Sequence, residues 1–231
     1  MKAAMSVESV LAEMRSLGDP RAVEGMARFR ISSEGTLGLS VPLLRNMAKR
    51  LGTDHGLARG LWESGVHEAR ILAALVDDPK EVSEAQMERW VADFDSWDVC
   101  DACCGNLFDR TPYAFKKAGE WSRRKEEFVK RAGYALMAEL AVHDKKAPDG
   151  AFLLFFGAIE RGSTDPRNFV KKAVNWALRQ IGKRNPRLNR AALELAERIS
   201  KKASPSAKWV ASDAIRELRS EAVRKKVRRS S

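Results

Sequence analysis

A five-residue word returns after 41 positions in the second half of the chain: FVKRA begins at Phe128 and FVKKA at Phe169. A third aromatic–valine pair, Trp209-Val210, follows 40 positions later. Along these segments apolar residues recur at i, i+3, i+4 and i+7, the spacing of one helix face. Helix pairs repeating at about 40–47 residues mark HEAT and armadillo arrays. Such arrays curve and expose a concave face that suits a long partner. Convincing alternation of period two, the mark of strands, is almost absent.

The same periodicity predicts helices near 6–17, 20–30, 41–52, 54–64, 67–77, 81–93, 97–108, 112–124, 126–142, 148–161, 168–183, 187–201 and 205–219. Helix punctuation separates them: Gly18-Asp19-Pro20, Asp77-Asp78-Pro79, Thr111-Pro112, Ala147-Pro148-Asp149, Asn185-Pro186 and Ser204-Pro205. The connections are short, so neighbours should pack antiparallel. The first half shows no clean register with the second. No linker is visible. The expectation is one all-α, HEAT-like or armadillo-type solenoid over residues 1–220, built of antiparallel helix pairs with a concave basic face. A basic tail, 221–231, carries five Lys and Arg against Glu221 and is expected to fray or to add nonspecific affinity for anions.

Charge narrows the partner. The 231 residues hold 42 Lys and Arg against 31 Asp and Glu, a net of +11, with a pI of about 9.8. Residues 1–115 carry 13 basic and 18 acidic residues, a net of −5, and residues 116–231 carry 29 and 13, a net of +16. An uneven but ordinary soluble surface is one reading; a footprint for phosphates is the sharper one. The longest apolar run, around Ala151–Ile159, is too short for a membrane span. The N-terminus MKAAMSVESV lacks the apolar core of a secretion signal. Cys100, Cys103 and Cys104 lie close together without a distant partner, which suits a reducing cytoplasm rather than a disulfide framework.

Helical wheels single out particular side chains. In 168–183, Val170, Val174, Ala177, Leu178 and Ile181 form a complete packing stripe. At about 100° per residue, Trp176 points the other way and shares its sector with Lys172, Arg179 and Lys183. A Trp among three cations fits a nucleic-acid surface, with a contact between repeats or to a protein as the alternative. In 97–108, Cys100, Cys103, Cys104 and Leu107 make one buried stripe, so the cysteines read as small core residues. Trp97 and Asp101 share a face at its edge. An ordinary surface or salt-bridged acid is the plain reading of Asp101. Arg131 sits at the margin of an apolar face, where an arginine commonly snorkels, and aligns with Lys172 in the repeat. A basic position recurring on inner helices would track a phosphate backbone. Arg45 and Lys49 also share a face, after Val41-Pro42. His55, His67 and His143 are isolated in sequence, so no metal is expected.

As a set, SVPLLRNMAKRL, SWDVCDACCGNLF, FVKRAGYALMAEL and NFVKKAVNWALRQIGKRNP, in that order, resemble the AlkD-type DNA alkylation repair proteins, HEAT-like repeat DNA glycosylases. The similarity runs from about residue 20 to residue 219, and FVKKAVNWALRQIGKRNP and KWVASDAIREL are its most specific segments. The resemblance implies removal of alkylated purines such as 3-methyladenine and 7-methylguanine from duplex DNA, for base excision repair. It implies an aspartate flanked by tryptophans with an arginine nearby. The W-D-x-x-D segment matches Trp97 to Asp101, placing a tryptophan at Trp97 and the catalytic aspartate at Asp101. The family arginine matches Arg131 and the tryptophan of WALR matches Trp176. Two features depart from the commoner pattern: the double cysteine after Asp101, and Gly133-Tyr134 after Arg131. The N-terminal aromatic of many members has only Phe29 as a weak match.

These residue types suit the chemistry. An N3- or N7-alkylated purine is already a cationic leaving group and needs no general acid. The sugar becomes oxocarbenium-like, and a carboxylate about 4 Å away contributes on the order of 4 kcal/mol at an effective dielectric near 20. Aromatic faces add about 0.5–2 kcal/mol each. Arg131 would hold a flanking phosphate, with Arg45, Lys49, Lys172, Arg179 and Lys183 along the DNA. No lysine is placed as a Schiff-base nucleophile. The expectation is therefore a monofunctional glycosylase without metal or small-molecule cofactor, acting on double-stranded DNA as a monomer in the cytoplasm, at the nucleoid if bacterial. The chief rival is a noncatalytic HEAT-like DNA binder that reads DNA structure or backbone. A protein-binding scaffold is a third reading.

Overall fold

The computed structural model describes residues 5–229. The first four residues of the N-terminal stretch and the last two of the basic tail lie outside it. Among the described residues all regular structure is helical, in two compact units that meet at Thr111 and Pro112. The helix punctuation read from the sequence at Thr111-Pro112 thus falls at the boundary. Residues 112–115 are uncharged, so the same boundary divides the net −5 from the net +16.

The first unit contains α1 (Val7–Ser16), α2 (Pro20–Met26) with a 3-10 turn (Ala27–Phe29), α3 (Val41–Leu51), α4 (His55–Glu63), α5 (His67–Val76), α6 (Glu84–Ala92) and α7 (Trp97–Asn106) with a 3-10 turn (Phe108–Arg110). Its starts obey local chemistry. The side chains of Ser6, Asp19, Asp54 and Ser83 accept backbone N–H groups of the first turn, and Pro20 and Pro42 sit where a helix needs no N–H. Helix α5 is the centre, packed against α3, α4 and α7 and almost wholly buried. Contacts between successive hairpins recur at a spacing of 31 residues. Trp62 Nε1 donates to Asp93, and His67 meets Asp98. Trp62 also stacks on Trp90 at 4.0 Å, with the rings 4° from parallel. This half therefore has its own shorter spacing, written in unlike residues, and shows no register with the second half.

The second unit contains α8 (Ala114–Trp121), α9 (Glu127–His143), α10 (Asp149–Leu153), α11 (Phe156–Gly162), α12 (Asn168–Gly182), α13 (Pro186–Ser200), α14 (Pro205–Leu218) and α15 (Glu221–Arg228). Helices α9, α12 and α14 lie side by side and parallel. At one end of the α9–α12 pair, Phe128 meets Phe169 at 5.4 Å and Lys130 bonds Asp165 at 2.9 Å. At the other, Arg184 Nη1 donates to the carbonyls of Ala141 and Asp144, each at 2.8 Å. Between α12 and α14, Lys171 lies over Trp209, Asn175 bonds Asp213 and Arg179 pairs with Glu217, a constant offset of 38 residues. Helices α8 and α13 fold back on α9 and α14 as the second members of hairpins. The repeat read from FVKRA and FVKKA is this stack. Val129, Val170 and Val210 are buried at its equivalent positions.

Two expectations are corrected. The helix expected over 148–161 is two, α10 and α11, broken at Leu154-Phe155. Leu154 is exposed, while Phe152 and Phe155 both turn inward to Phe115, each at 5.8 Å. The tail expected to fray is the helix α15 up to Arg228. Ser220 caps it, and Val223 and Val227 are buried four residues apart. A run dominated by cations masked that two-valine stripe. Among the described residues, no helix is long and apolar enough to cross a membrane.

The Gly133-Tyr134 pair also has a packing reason. A Cβ on Gly133 would lie 2.4 Å from the Ser122 backbone nitrogen, so only glycine lets α9 approach the end of α8. Tyr134 fills the space left by Gly162 and donates its hydroxyl to the Ala158 carbonyl at 3.0 Å. Gly133→Ala should therefore destabilise the protein by about 1–3 kcal/mol in urea unfolding, because backbone rather than a movable side chain opposes the methyl.

Candidate functional site

Helix α7 carries two of the candidate residues, Trp97 and Asp101. Its inner stripe is built as expected: Cys100, Cys103, Cys104 and Leu107 are fully buried. Burial pushes the thiols of Cys103 and Cys104 well above their ordinary range, so they are neutral core groups. That stripe fixes the rotation of the helix and leaves Trp97 and Asp101, one turn apart, half-buried at its edge. Trp97 Nε1 donates to the carbonyl of Phe29 at 3.2 Å. Phe29 closes its 3-10 turn ahead of Arg30, whose φ of 61° is left-handed, and its ring is 63% exposed. The weak sequence match for the N-terminal aromatic thus lies beside Trp97.

A histidine that looked isolated in sequence anchors α7. His67, the first residue of α5, meets Asp98 of α7 at 2.9 Å. Burial alone would lower the His67 pKa, but the hydrogen bond and charge of Asp98, with Glu68 and Asp95, hold it above its ordinary value. Burial alone would raise Asp98; His67 and the Val99 N–H outweigh it and hold the carboxyl below its ordinary range. Glu68 accepts the backbone N–H groups of Leu37, Gly38 and Leu39, tying the approach to α3 onto α5. The sequence signal for His67 is the 31-residue spacing to Asp98, visible only once Trp62–Asp93 shows the same spacing.

The second unit holds the remaining candidate residues. Trp176 is half-buried on α12, opposite a stripe of Val170, Val174, Ala177, Leu178 and Ile181 that is fully buried. Its three neighbouring cations differ. Lys172 is exposed, whereas Lys183 bonds Glu217 at 2.7 Å and Arg179 pairs with both Glu217 and Asp213. Burial would raise Glu217, but Lys183 and Arg179 pull its pKa down. Arg131, aligned with Lys172 in the repeat, is only 6% exposed and donates from Nη1 to the Phe169 carbonyl at 2.8 Å. The recurring basic column is therefore one inward arginine and one outward lysine. Arg45 and Lys49 are exposed on α3 and line a groove of the first unit. Trp97 and Asp101 belong to the first unit, and Arg131 and Trp176 to the second.

The family model described as DNA alkylation repair enzyme matches residues 10–218. The chain belongs to this family. The AlkD-type resemblance of its segments is thereby accounted for, over nearly the same span. Among solved structures, one described as a new family of proteins related to the HEAT-like repeat DNA glycosylases, with affinity for branched DNA structures, superposes with a TM-score of 0.75. It is 19% identical, with 92% of this chain and 95% of that one covered, and it establishes a HEAT-like fold. A designed armadillo repeat protein in complex with the peptide (KR)4 reaches a TM-score of 0.36 at 12% identity, over 82% of this chain and 90% of that one. No curated protein matches the chain by sequence.

The His67–Asp98 pair predicts a pH dependence. A histidine with a raised pKa contributes stability that is lost as pH climbs through that raised value, above 6.5. An aspartate with a lowered pKa contributes stability that is lost as pH falls through the lowered value, below 3.8. Stability should hold between these limits and fall on either side. His67→Gln should cost about 1–3 kcal/mol near pH 6 and flatten the alkaline limb, as read by thermal unfolding at a series of pH values.

Proposed function

We propose that this member of the DNA alkylation repair enzyme family is a monofunctional DNA glycosylase. It hydrolyses the N-glycosidic bond of cationic alkylated purines, of the 3-methyladenine and 7-methylguanine type, in duplex DNA. The observation that carries the reading is α7, a helix fixed by a buried cysteine stripe and by His67 that presents Trp97 and Asp101 one turn apart.

The reaction needs little from the protein beyond a negative potential in the right place. The glycosidic C–N bond breaks with its electron pair leaving on the purine, which loses its positive charge. Water adds to the sugar carbon and releases a proton. Asp101 stabilises the cationic sugar, and Trp97 and Trp176 offer π faces to it. Asp101 is worth about 4 kcal/mol at about 4 Å and an effective dielectric near 20. That corresponds to about a thousandfold in rate. Arg131, held at the Phe169 carbonyl, is the family arginine and would stand beside a phosphate flanking the lesion. Lys172 takes phosphate directly. Arg179 and Lys183 exchange Glu217 for phosphate, at small cost because a partly exposed pair is worth about 1 kcal/mol or less.

A second reading keeps DNA binding and drops the chemistry. It is favoured by the solved neighbour described as having affinity for branched DNA. One assay separates the two: incubation with duplex DNA containing 7-methylguanine and measurement of free base. Base release that Asp101→Asn abolishes while duplex affinity stays within about twofold supports the glycosylase. An absence of release from 7-methylguanine and 3-methyladenine alike would overturn it in favour of the binder. Trp176→Ala should lower turnover at least about tenfold with little change in thermal midpoint, since the packing stripe of α12 is complete without it. A large loss of stability would instead make Trp176 a packing residue.

A further inference from the structure

The first unit has 13 basic residues against 18 acidic ones, so a cation there has ample opportunity to find a carboxylate. Two do: Arg50 pairs with Glu13 and Arg70 with Asp95. Three do not. Arg45, Lys49 and Arg110 line a single groove of about 470 Å3, with Ala48, Gly52, Thr53, Leu75 and Asn106 completing its wall. No carboxylate lines it. Among the described residues, none of the three cationic groups has a hydrogen-bond or ion-pair partner, and all three are exposed.

Helix ends explain part of this. Lys49 lies in the last turn of α3, where any cation complements the negative end of the helix dipole. Arg110 ends the 3-10 turn after α7, a different element, yet its charge lines the same space. Three like charges sharing a groove with no acid in the wall repel one another, and a bound anion would relieve that repulsion. The neutral donors match. Asn106 gives one amide N–H to the Ala102 carbonyl at 2.8 Å, which holds its side chain in place with donor and acceptor capacity to spare. Thr53 adds a hydroxyl. Gly52, at φ 80° and ending α3, keeps one wall open, since a Cβ there would meet nothing within 4 Å. Guanidinium groups, an ammonium, an amide and a hydroxyl around an open trough are the donor set of a phosphodiester site.

The geometry points to a backbone-phosphate site in this groove, with Arg110 and Asn106 as positioning residues that neither the repeat nor the tryptophan–aspartate pair reveals. The inference rests on the duplex-DNA reading above and goes beyond it in role. Asn106 lies five residues after Asp101 on the same helix, so a phosphate held there would be fixed relative to the helix that carries Trp97 and Asp101. Such a contact is blind to sequence and to damage, and gives affinity for undamaged duplex as much as for a lesion.

The test uses the full chain. Affinity for an undamaged duplex is measured by fluorescence anisotropy across a salt series, and 7-methylguanine release is measured separately. The variants are Arg110→Gln, Lys49→Gln and their double, with Arg59→Gln, an exposed residue of α4 outside the groove, as the charge-matched control. Arg110→Gln and Lys49→Gln should each weaken binding several-fold and lower the slope of log affinity against log salt by about 0.9. The double should lower it by about twice that, and Arg59→Gln should leave it unchanged. Unchanged slopes in the groove variants would overturn the site, and wild-type base release in the same experiments would leave the glycosylase reading standing. An equal fall in Arg59→Gln would also overturn it, by reducing the effect to net charge. A flattened slope in Arg110→Gln alongside a wild-type protein that releases no base would uphold the groove and remove the chemistry.

Discussion

Every hairpin of the second unit has an apolar face left over after its own two helices have met, and only the next hairpin can cover it. The structure of that unit follows from this one requirement. Helix α12 buries Val170, Val174, Ala177, Leu178 and Ile181 completely. At about 1.5–3 kcal/mol for each large aliphatic side chain, that stripe outweighs any single polar contact along it. What the polar contacts add is register. Lys130 to Asp165 and Arg131 to Phe169 fix one end of α9 against α12, and Arg184 to Ala141 and Asp144 fixes the other. Gly133 sets how closely the partner helix approaches.

That economy redistributes the charge. The +16 of the second unit is a net count and not a free surface. Arg131, Arg167 and Arg184 bond backbone carbonyls inside the unit, and Arg179 and Lys183 share Glu217. The first unit is the converse. It is acidic in total, yet it leaves Arg45, Lys49 and Arg110 without a carboxylate in one groove. Affinity for a polyanion depends on cations that are near one another and uncompensated. Net charge per unit is therefore a poor guide to where a duplex would be held.

The catalytic proposal depends on the same division of labour. Asp101 is useful only if its helix cannot rotate, because a carboxylate displaced by an ångström loses much of its effect on a transient cation. Two features of the first unit prevent rotation. The cysteine stripe fills the core side of α7, and the His67–Asp98 pair pins its first turn to α5. The departures from the commoner family pattern then fall into place as packing. The cysteines are small core groups, and Gly133 with Tyr134 is matched by Gly162.

Much of the chain was legible because helices are local. Caps, prolines and the i, i+3, i+4 pattern act within a few residues, so the helix starts at Ser6, Asp19 and Asn185, the α12 stripe and the cysteine stripe could all be read from sequence. The repeat was legible in the second half, where equivalent positions carry like residues, and not in the first, where the 31-residue spacing joins His67 to Asp98 and Trp62 to Asp93. The sequence by itself therefore determined an all-α stack of hairpins and the faces on which Trp97, Asp101 and Trp176 lie. It could not determine what each charged side chain does. A helical wheel shows where a cation starts, but its end depends on which carbonyl or carboxylate a distant element brings within 3 Å. Arg131 turns inward to Phe169, Lys172 at the equivalent position faces water, and Arg110 joins Arg45 and Lys49 across two helices. Those outcomes belong to the tertiary structure, because the competing partners are far apart in the chain and close only in the fold.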